Sequence, residues 1–236
     1  MLGIALTAAA YLVGGIVFYL FSLKRGFNAR DTRMIMFCAL LGGLLGAKVV
    51  RLTIAVVAGE NPVMLLMHPD GRTIIGGVIA GWLAVELCKK KFHIQRSSGD
   101  GFAFALSIGE AIGRIGCFFS GCCYGAVSSV PWAVYQAGAL RHPSQLYSAA
   151  VSLSIFAVLL YAQGKVKYEG DLFRIYLLLF GLTRFVLEFF RERSAVFLGL
   201  SLAQWISLEL AGSMVVALAV LYLRPRPAAS EPQEAS

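Results

Sequence analysis

Charge is scarce in this sequence. Asp, Glu, Lys and Arg make up 14% of its 236 residues, 58% are hydrophobic, and mean hydropathy is +0.73. Soluble domains carry about 25% charged and 45–50% apolar residues, so the shortage excludes an ordinary soluble class. Nothing indicates a second domain. The basic residues behind the net charge of +8 fall between apolar runs. They read as loop flanks and not as a nucleic-acid surface, and no nucleic-acid partner is expected. Five cysteines are too few and too scattered for a disulfide framework. No cleavable leader is expected either: no basic segment precedes the first apolar run, which is long enough to span a bilayer and reads as a transmembrane helix. No internal repeat of the kind secondary transporters show is visible, which leaves the intramembrane charges as the only support for a channel or transporter.

What is present is a succession of apolar segments at about 3–23, 34–57, 74–88, 102–121, 145–163, 172–190 and 198–223. Spans of about 20 residues are expected for helices that cross a bilayer. The sequence therefore predicts an all-α polytopic membrane protein with about seven transmembrane helices. A single helical domain over 1–223 is followed by a Pro-, Ser- and Glu-rich tail, 224–236, expected to be disordered. Lys24, Arg25, Arg30 and Arg33, then Lys89, Lys90, Lys91 and Arg96, then Lys165 and Lys167, then Arg224 and Arg226 fall on one side of this scheme. Only Arg72, Arg141, Arg191 and Arg193 fall on the other. The positive-inside rule then puts the N-terminus outside and the C-terminus in the cytoplasm.

Against this background the stretch Gly109–Gly125 needs a reason, because an apolar helix there carries Glu110 and Arg114. A charge at bilayer depth costs about 2.5–3.5 kcal/mol on insertion scales. Residues four apart share a helical face and can pair. Arg184 and Glu188 repeat the arrangement near the end of the sixth segment, and Lys48 and Arg51 add basic groups to the second. If these helices face one another, the cluster suits a phospholipid phosphate, for which the planar guanidinium fork is apt. The alternative for Lys48 and Arg51 is separate snorkelling to water. His142, directly before a helix-starting proline, is a proton carrier or an ordinary loop contact. Glycines four apart, at Gly42 and Gly46, Gly77 and Gly81, and Gly109 and Gly113, permit close helix contacts. Cys38 and Cys88 read as packing thiols. Cys117, Cys122 and Cys123 leave three readings open: packing thiols, a disulfide or a metal site. Their spacing matches no standard zinc pattern and a bond between adjacent cysteines would be strained, so packing stands first and metal last. No metal or cofactor is expected.

Taken together, these stretches resemble the prolipoprotein diacylglyceryl transferase family. The resemblance rests on GRIG at Gly113–Gly116 with Phe118, Gly121 and Gly125 following, on RHPSQLY at Arg141–Tyr147, on RFVLEFFRE at Arg184–Glu192, and on Gly76 and Gly77 opening the third helix. It runs from the second helix to the seventh. It implies an enzyme of the bacterial cytoplasmic membrane that moves the diacylglyceryl group of phosphatidylglycerol onto a preprolipoprotein cysteine thiol. Under it, Arg114, Arg184, Glu188 and His142 are catalytic. The resemblance and the charge pattern together make Gly113, Gly116, Gly76, Gly77, Gly125, Ser144, Gln145, Tyr147, Lys48, Arg51 and Glu110 candidate substrate-binding residues; Cys117, Cys122 and Cys123, a candidate thiol site, come from the residues themselves and not from the resemblance. The departures are specific. Cys117 and Ser120 stand where the family signature has asparagines, Cys122 where it has glutamate, Ile75 where a His-Gly-Gly motif has histidine, and Ser148 where RHPSQLYE has its acid. The lipid-binding parts persist better than the proton-handling parts. A catalytically altered or inactive lipid-binding protein on the same scaffold is therefore the competing expectation.

Overall fold

The computed structural model describes residues 1–57, 74–191 and 197–223. Its elements are α1 (Leu2–Lys24), α2 (Ala29–Val57), α3 (Ile74–Lys91), α4 (Gly99–Phe119), a hairpin of β1 (Val134–Gln136) and β2 (Ala139–Arg141), α5 (Ser144–Ala162), α6 (Asp171–Leu187) with a closing 3₁₀ turn (Glu188–Phe190), and α7 (Leu202–Leu223). Among the described residues, five helical stretches are long and apolar enough to cross a membrane: Leu2–Lys24, Ala29–Val50, Gly99–Phe119, Ser144–Ala162 and Leu202–Leu223. The chain is a helical, polytopic membrane protein. Arg72, Arg193 and the tail 224–236 lie outside the described residues.

The chain divides into two compact units, Gly14–Gly101 and Met1–Val13 with Phe102–Ser236. In Gly14–Gly101 the contact between α2 and α3 is made through small residues. A Cβ on Gly46 would meet the Ala80 Cβ and lie 2.8 Å from the Gly76 carbonyl oxygen. One on Gly77 would stand 3.1 Å from the Gly43 carbonyl oxygen. Apolar helices in lipid gain little from hiding side chains from one another, so close backbone approach and dispersion hold them. The glycine spacing expected to be ordinary packing is that here. Asn28 starts α2: its Oδ1 accepts the Asp31 N–H at 2.7 Å and its Nδ2 donates to the Asp31 carboxylate at 2.8 Å, a reciprocal cap. Cys88 is buried in α3 and Cys38 half-buried in α2, as packing thiols would be. Glu86 pairs with Lys89 at 3.1 Å and Glu209 is exposed on α7.

In the other unit α5, α6 and α7 pack in sequence. Asp171 opens α6 fully buried, and three groups satisfy its carboxylate. Tyr222 Oη, from the far end of α7, donates at 2.7 Å, Arg174 Nη1 at 2.9 Å and the Tyr168 N–H at 3.2 Å. One side chain thus locks the start of α6 to the end of α7 and the turn before it. Where α7 begins, Ser201 and Gln204 form a capping box, with Ser201 N–H donating to Gln204 Oε1 at 2.9 Å and Gln204 N–H to Ser201 Oγ at 3.3 Å. The hairpin turns through Ala137 and Gly138, both at positive φ (48° and 80°), the two-residue geometry that matches strand twist. Replacing Asp171 by Ala removes these acceptors and leaves the Tyr222 hydroxyl unpaired, a loss of about 1–3 kcal/mol. We expect a lowered thermal midpoint in detergent with the helical circular-dichroism signal at low temperature retained.

Candidate active site

The sequence places one Arg/Glu pair on α4 and another at the end of α6, and the fold turns the first pair and the arginine of the second toward one cleft. Glu110 and Arg114 of α4 line it together with Ser148, Ser152 and Ile155 of α5 and Phe180, Thr183, Arg184 and Leu187 of α6. Its empty space, open to the surroundings, is about 260 Å³. Arg114 Nη2 and Nε both donate to Glu110 Oε1, at 3.2 and 3.3 Å. The side chains keep 18% and 20% of their exposure, so the pair is largely withdrawn from solvent without being sealed. Arg184 Nη2 lies 3.0 Å from Glu188 Oε2. Glu188 is buried in the 3₁₀ turn, and its other oxygen accepts Ser201 Oγ at 3.4 Å. Arg184 Nη1 is buried and has no hydrogen-bond partner among the described residues. A buried guanidinium N–H left unsatisfied costs about 1–3 kcal/mol, which an incoming anionic oxygen removes.

Close helix approach makes this placement feasible. A Cβ on Gly116 would stand 3.1 Å from the Gly3 carbonyl oxygen of α1, and one on Gly109 3.4 Å from that of Ala10. The fourth helix can therefore sit against the first half of α1 and present Glu110 and Arg114 elsewhere. On α5 the buried residues include Ser144, Ser148 and Ser152, one every four positions. Ser148 Oγ donates to the Ser144 carbonyl at 2.8 Å. Of these serines, Ser148 and Ser152 line the cleft, and Ser152 is the one that sequence reasoning passed over. Its signal was there: serines at helical spacing on one face of an apolar segment.

Beyond α4 the chain is pinned by RHPSQLY. The Gly125 N–H donates to the His142 carbonyl at 3.0 Å, and the Ala126 N–H to the Phe190 carbonyl at 3.0 Å. A Cβ on Gly125 would come within 2.6 Å of both carbonyl oxygens, so only glycine lets three segments converge. Ser144 Oγ donates to the Cys123 carbonyl at 3.1 Å, and Gln145 Nε2 to the Cys122 carbonyl at 2.8 Å. Arg141 Nη1 donates to the Gly125 carbonyl at 3.2 Å, with its guanidinium over the Tyr124 ring. His142 Nδ1 lies 3.2 Å from Tyr147 Oη, which accepts Trp132 Nε1 at 2.6 Å, and the His142 and Tyr147 rings both meet Phe190 edge-on. His142 therefore sits in an aromatic knot. It does not line the cleft that holds the two arginines.

Cys117, Cys122 and Cys123 are free thiols with Sγ atoms within 4.8 Å of one another. The Cys117 thiol hydrogen bond, aided by that of Cys122 and by the charges of Arg114 and Arg191, holds Cys123 down at about 5. Burial pushes Cys122 the other way. Lys48 on α2 and Gly76 and Gly77 on α3 belong to the unit Gly14–Gly101. The side chains of Arg51 and Ile75 lie outside the described residues.

The sequence as a whole matches the model of the family described as prolipoprotein diacylglyceryl transferase over residues 2–223. The chain belongs to the prolipoprotein diacylglyceryl transferase family. A relative from Clostridium tetani, named phosphatidylglycerol–prolipoprotein diacylglyceryl transferase, is 31% identical over 215 residues, covering 86% of each chain. A relative of the same name from Idiomarina loihiensis is 38% identical over 161 residues, 64% of this chain and 60% of its own. One from Wolinella succinogenes, also of that name, is 39% identical over 143 residues, 58% of this chain and 52% of its own.

For Gly125 the geometry gives a direct expectation. Gly125→Ala forces two backbone oxygens apart, costing about 1–3 kcal/mol. We expect a lowered thermal midpoint and altered fluorescence of Trp132, whose indole is tied into the same knot.

Proposed function

We propose that this protein transfers the diacylglyceryl group of phosphatidylglycerol to the cysteine thiol of a prolipoprotein. The names of its relatives support this reading, and so does one observation: the Glu110/Arg114 pair and Arg184 line one cleft, with the buried Arg184 Nη1 carrying an unused donor. In the reaction the acceptor sulfur attacks the glyceryl carbon. A C–S bond forms as the C–O bond to phosphorus breaks. The electron pair leaves with the phosphate, giving glycerol phosphate. Negative charge grows on the departing phosphate oxygen, and Arg114 and Arg184 face it as preorganised donors. The thiol proton passes to a carboxylate, and Glu110 is the one that lines the cleft. The hydroxyls of Ser148, Ser152 and Thr183 supply polarity there without added charge. His142, Tyr147 and Phe190 hold the loop after α4 in place.

Labelled phosphatidylglycerol with a lipobox peptide tests this by mass analysis of the products. Arg114→Gln and Arg184→Gln are expected to slow transfer by about 10²–10³ each, and Glu110→Gln by about 10²–10⁴. Arg224→Gln in the tail should leave the rate unchanged. Equal losses from all would reduce the arginines to diffuse surface charge. The substitutions of family polar groups by Ile75, Cys117, Ser120 and Cys122 favour a second reading, a lipid-binding protein without transfer. Headgroup-dependent binding of phosphatidylglycerol with no thioether product would establish it.

We further propose seven spans in the bacterial cytoplasmic membrane, with the N-terminus outside and a disordered tail inside. The bias of basic residues among the loops supports that orientation. A cysteine placed at Ser230, in a variant whose other reactive cysteines are replaced, should react with an impermeant maleimide only after permeabilisation. Labelling in intact cells would reverse the orientation.

A further inference from the structure

The three cysteines after Arg114 take no part in the proposed transfer and lie outside the lining of the cleft. We propose that Cys117, Cys122 and Cys123 form a three-thiolate site for a soft d¹⁰ cation, Zn(II) or Cu(I), with one coordination position left open. The spacing Cys-x4-Cys-Cys hides this in the sequence, because it fits no standard zinc pattern. The fold reveals it. Their Sγ atoms all lie within 4.8 Å of one another. Around tetrahedral zinc, with Zn–S of about 2.3 Å, sulfurs stand about 3.8 Å apart. The remaining contraction is about 1 Å or less, and Cys122 and Cys123 are exposed and free to make it.

The backbone is already turned for it. Gly121 and Cys123 both adopt left-handed φ, 65° and 60°. A non-glycine residue there is held against a penalty of about 1–2 kcal/mol. The turn folds the chain back over the end of α4, where the Cys122 N–H donates to the Cys117 carbonyl at 3.2 Å and Cys122 Sγ lies 3.7 Å from the same oxygen. From outside the ring of thiols, Ser144 Oγ and Gln145 Nε2 hold the carbonyls of Cys123 and Cys122. Supports of this kind orient ligands in metal sites.

The donor set decides the class of ion. Three sulfurs with no carboxylate or imidazole in the group select a soft cation over magnesium or calcium, which take oxygen. Structural zinc sites close with four protein ligands, whereas open sites keep three and leave the fourth to water or an exogenous ligand. The group here has three. Its open position takes water or a soft donor such as a small thiol, which binds as thiolate and releases its proton to solvent.

Metal binding is read independently of transfer. The full chain, reduced and chelator-washed in detergent, is titrated with Zn(II), and anaerobically with Cu(I), against a competing chelator of known affinity. We expect one equivalent per chain of at least one of the two. Cys117→Ser, Cys122→Ser and Cys123→Ser should each weaken it by about 100-fold or more, whereas the Cys38→Ser/Cys88→Ser protein should bind as the parent does. The parent loaded with Co(II) should show a sulfur-to-metal charge-transfer band that shifts on adding N-acetylcysteine methyl ester, a readout that needs no variant. No stoichiometric uptake of either ion overturns the site. So does uptake that survives replacing all three cysteines, or that is lost equally without Cys38 and Cys88. A cobalt band unmoved by the thiol overturns the open position.

Discussion

A guanidinium placed within an apolar helix must be paired where it lies, and much of the larger unit answers that constraint. Insertion of one such charge costs about 2.5–3.5 kcal/mol. At the cleft stand two, Arg114 and Arg184, and each has a carboxylate four residues away along the chain. Pairing within one helix needs no tertiary contact, so each charge is partly neutralised before the helices meet. What the tertiary fold adds is convergence of Glu110, Arg114 and Arg184 on one cleft.

The two pairs are not equivalent. Glu110 precedes Arg114, the favourable order on a helix, because each charge then sits toward the end of the helix dipole that attracts it. Arg184 precedes Glu188, the reverse order, and Glu188 sits at the helix C-terminus, where the dipole disfavours an anion. Arg184 itself and Ser201 offset this cost by holding the two carboxylate oxygens. The Arg184 side is thus the less self-satisfied of the two and keeps a spare donor. A group retained at such a cost reads more naturally as binding machinery than as a brace.

Much of this was legible in the sequence for physical reasons. Apolar runs mark helices because the bilayer forbids unpaired backbone, and the segments at 102–121 and 145–163 correspond to α4 and α5 with ends moved by one to three residues. Both ion pairs followed from four-residue spacing, a local rule. The convergence of Gly125 with His142 and Phe190, the hydrogen bond from Trp132 to Tyr147 and the gathering of three thiols did not. Each joins residues through turns whose course depends on long-range packing, and a positive φ at Cys123 has no sequence signature like that of glycine. His142 shows the same limit: its motif was visible, but its neighbours, an aromatic knot instead of a charged cleft, were not.

The end of α4 and the turn beyond it carry thiols at Cys117, Cys122 and Cys123, and this bears on how the chain handles charge near Arg114. An amide or carboxylate at Cys117 or Cys122 would offer strong hydrogen bonds to a polar ligand or to Arg114. A neutral thiol offers only weak ones. Replacing them removes hydrogen-bonding capacity from the end of α4 while leaving Glu110 as the acceptor for Arg114. The loop nevertheless keeps its shape, because Ser144, Gln145 and Arg141 hold it through backbone carbonyls and not through the substituted side chains. Held this way, the loop's side chains are free to change chemistry without moving the arginines. That independence separates the chemistry of the turn from the position of the cleft, so thiols can stand beside the arginines without disturbing their pairing.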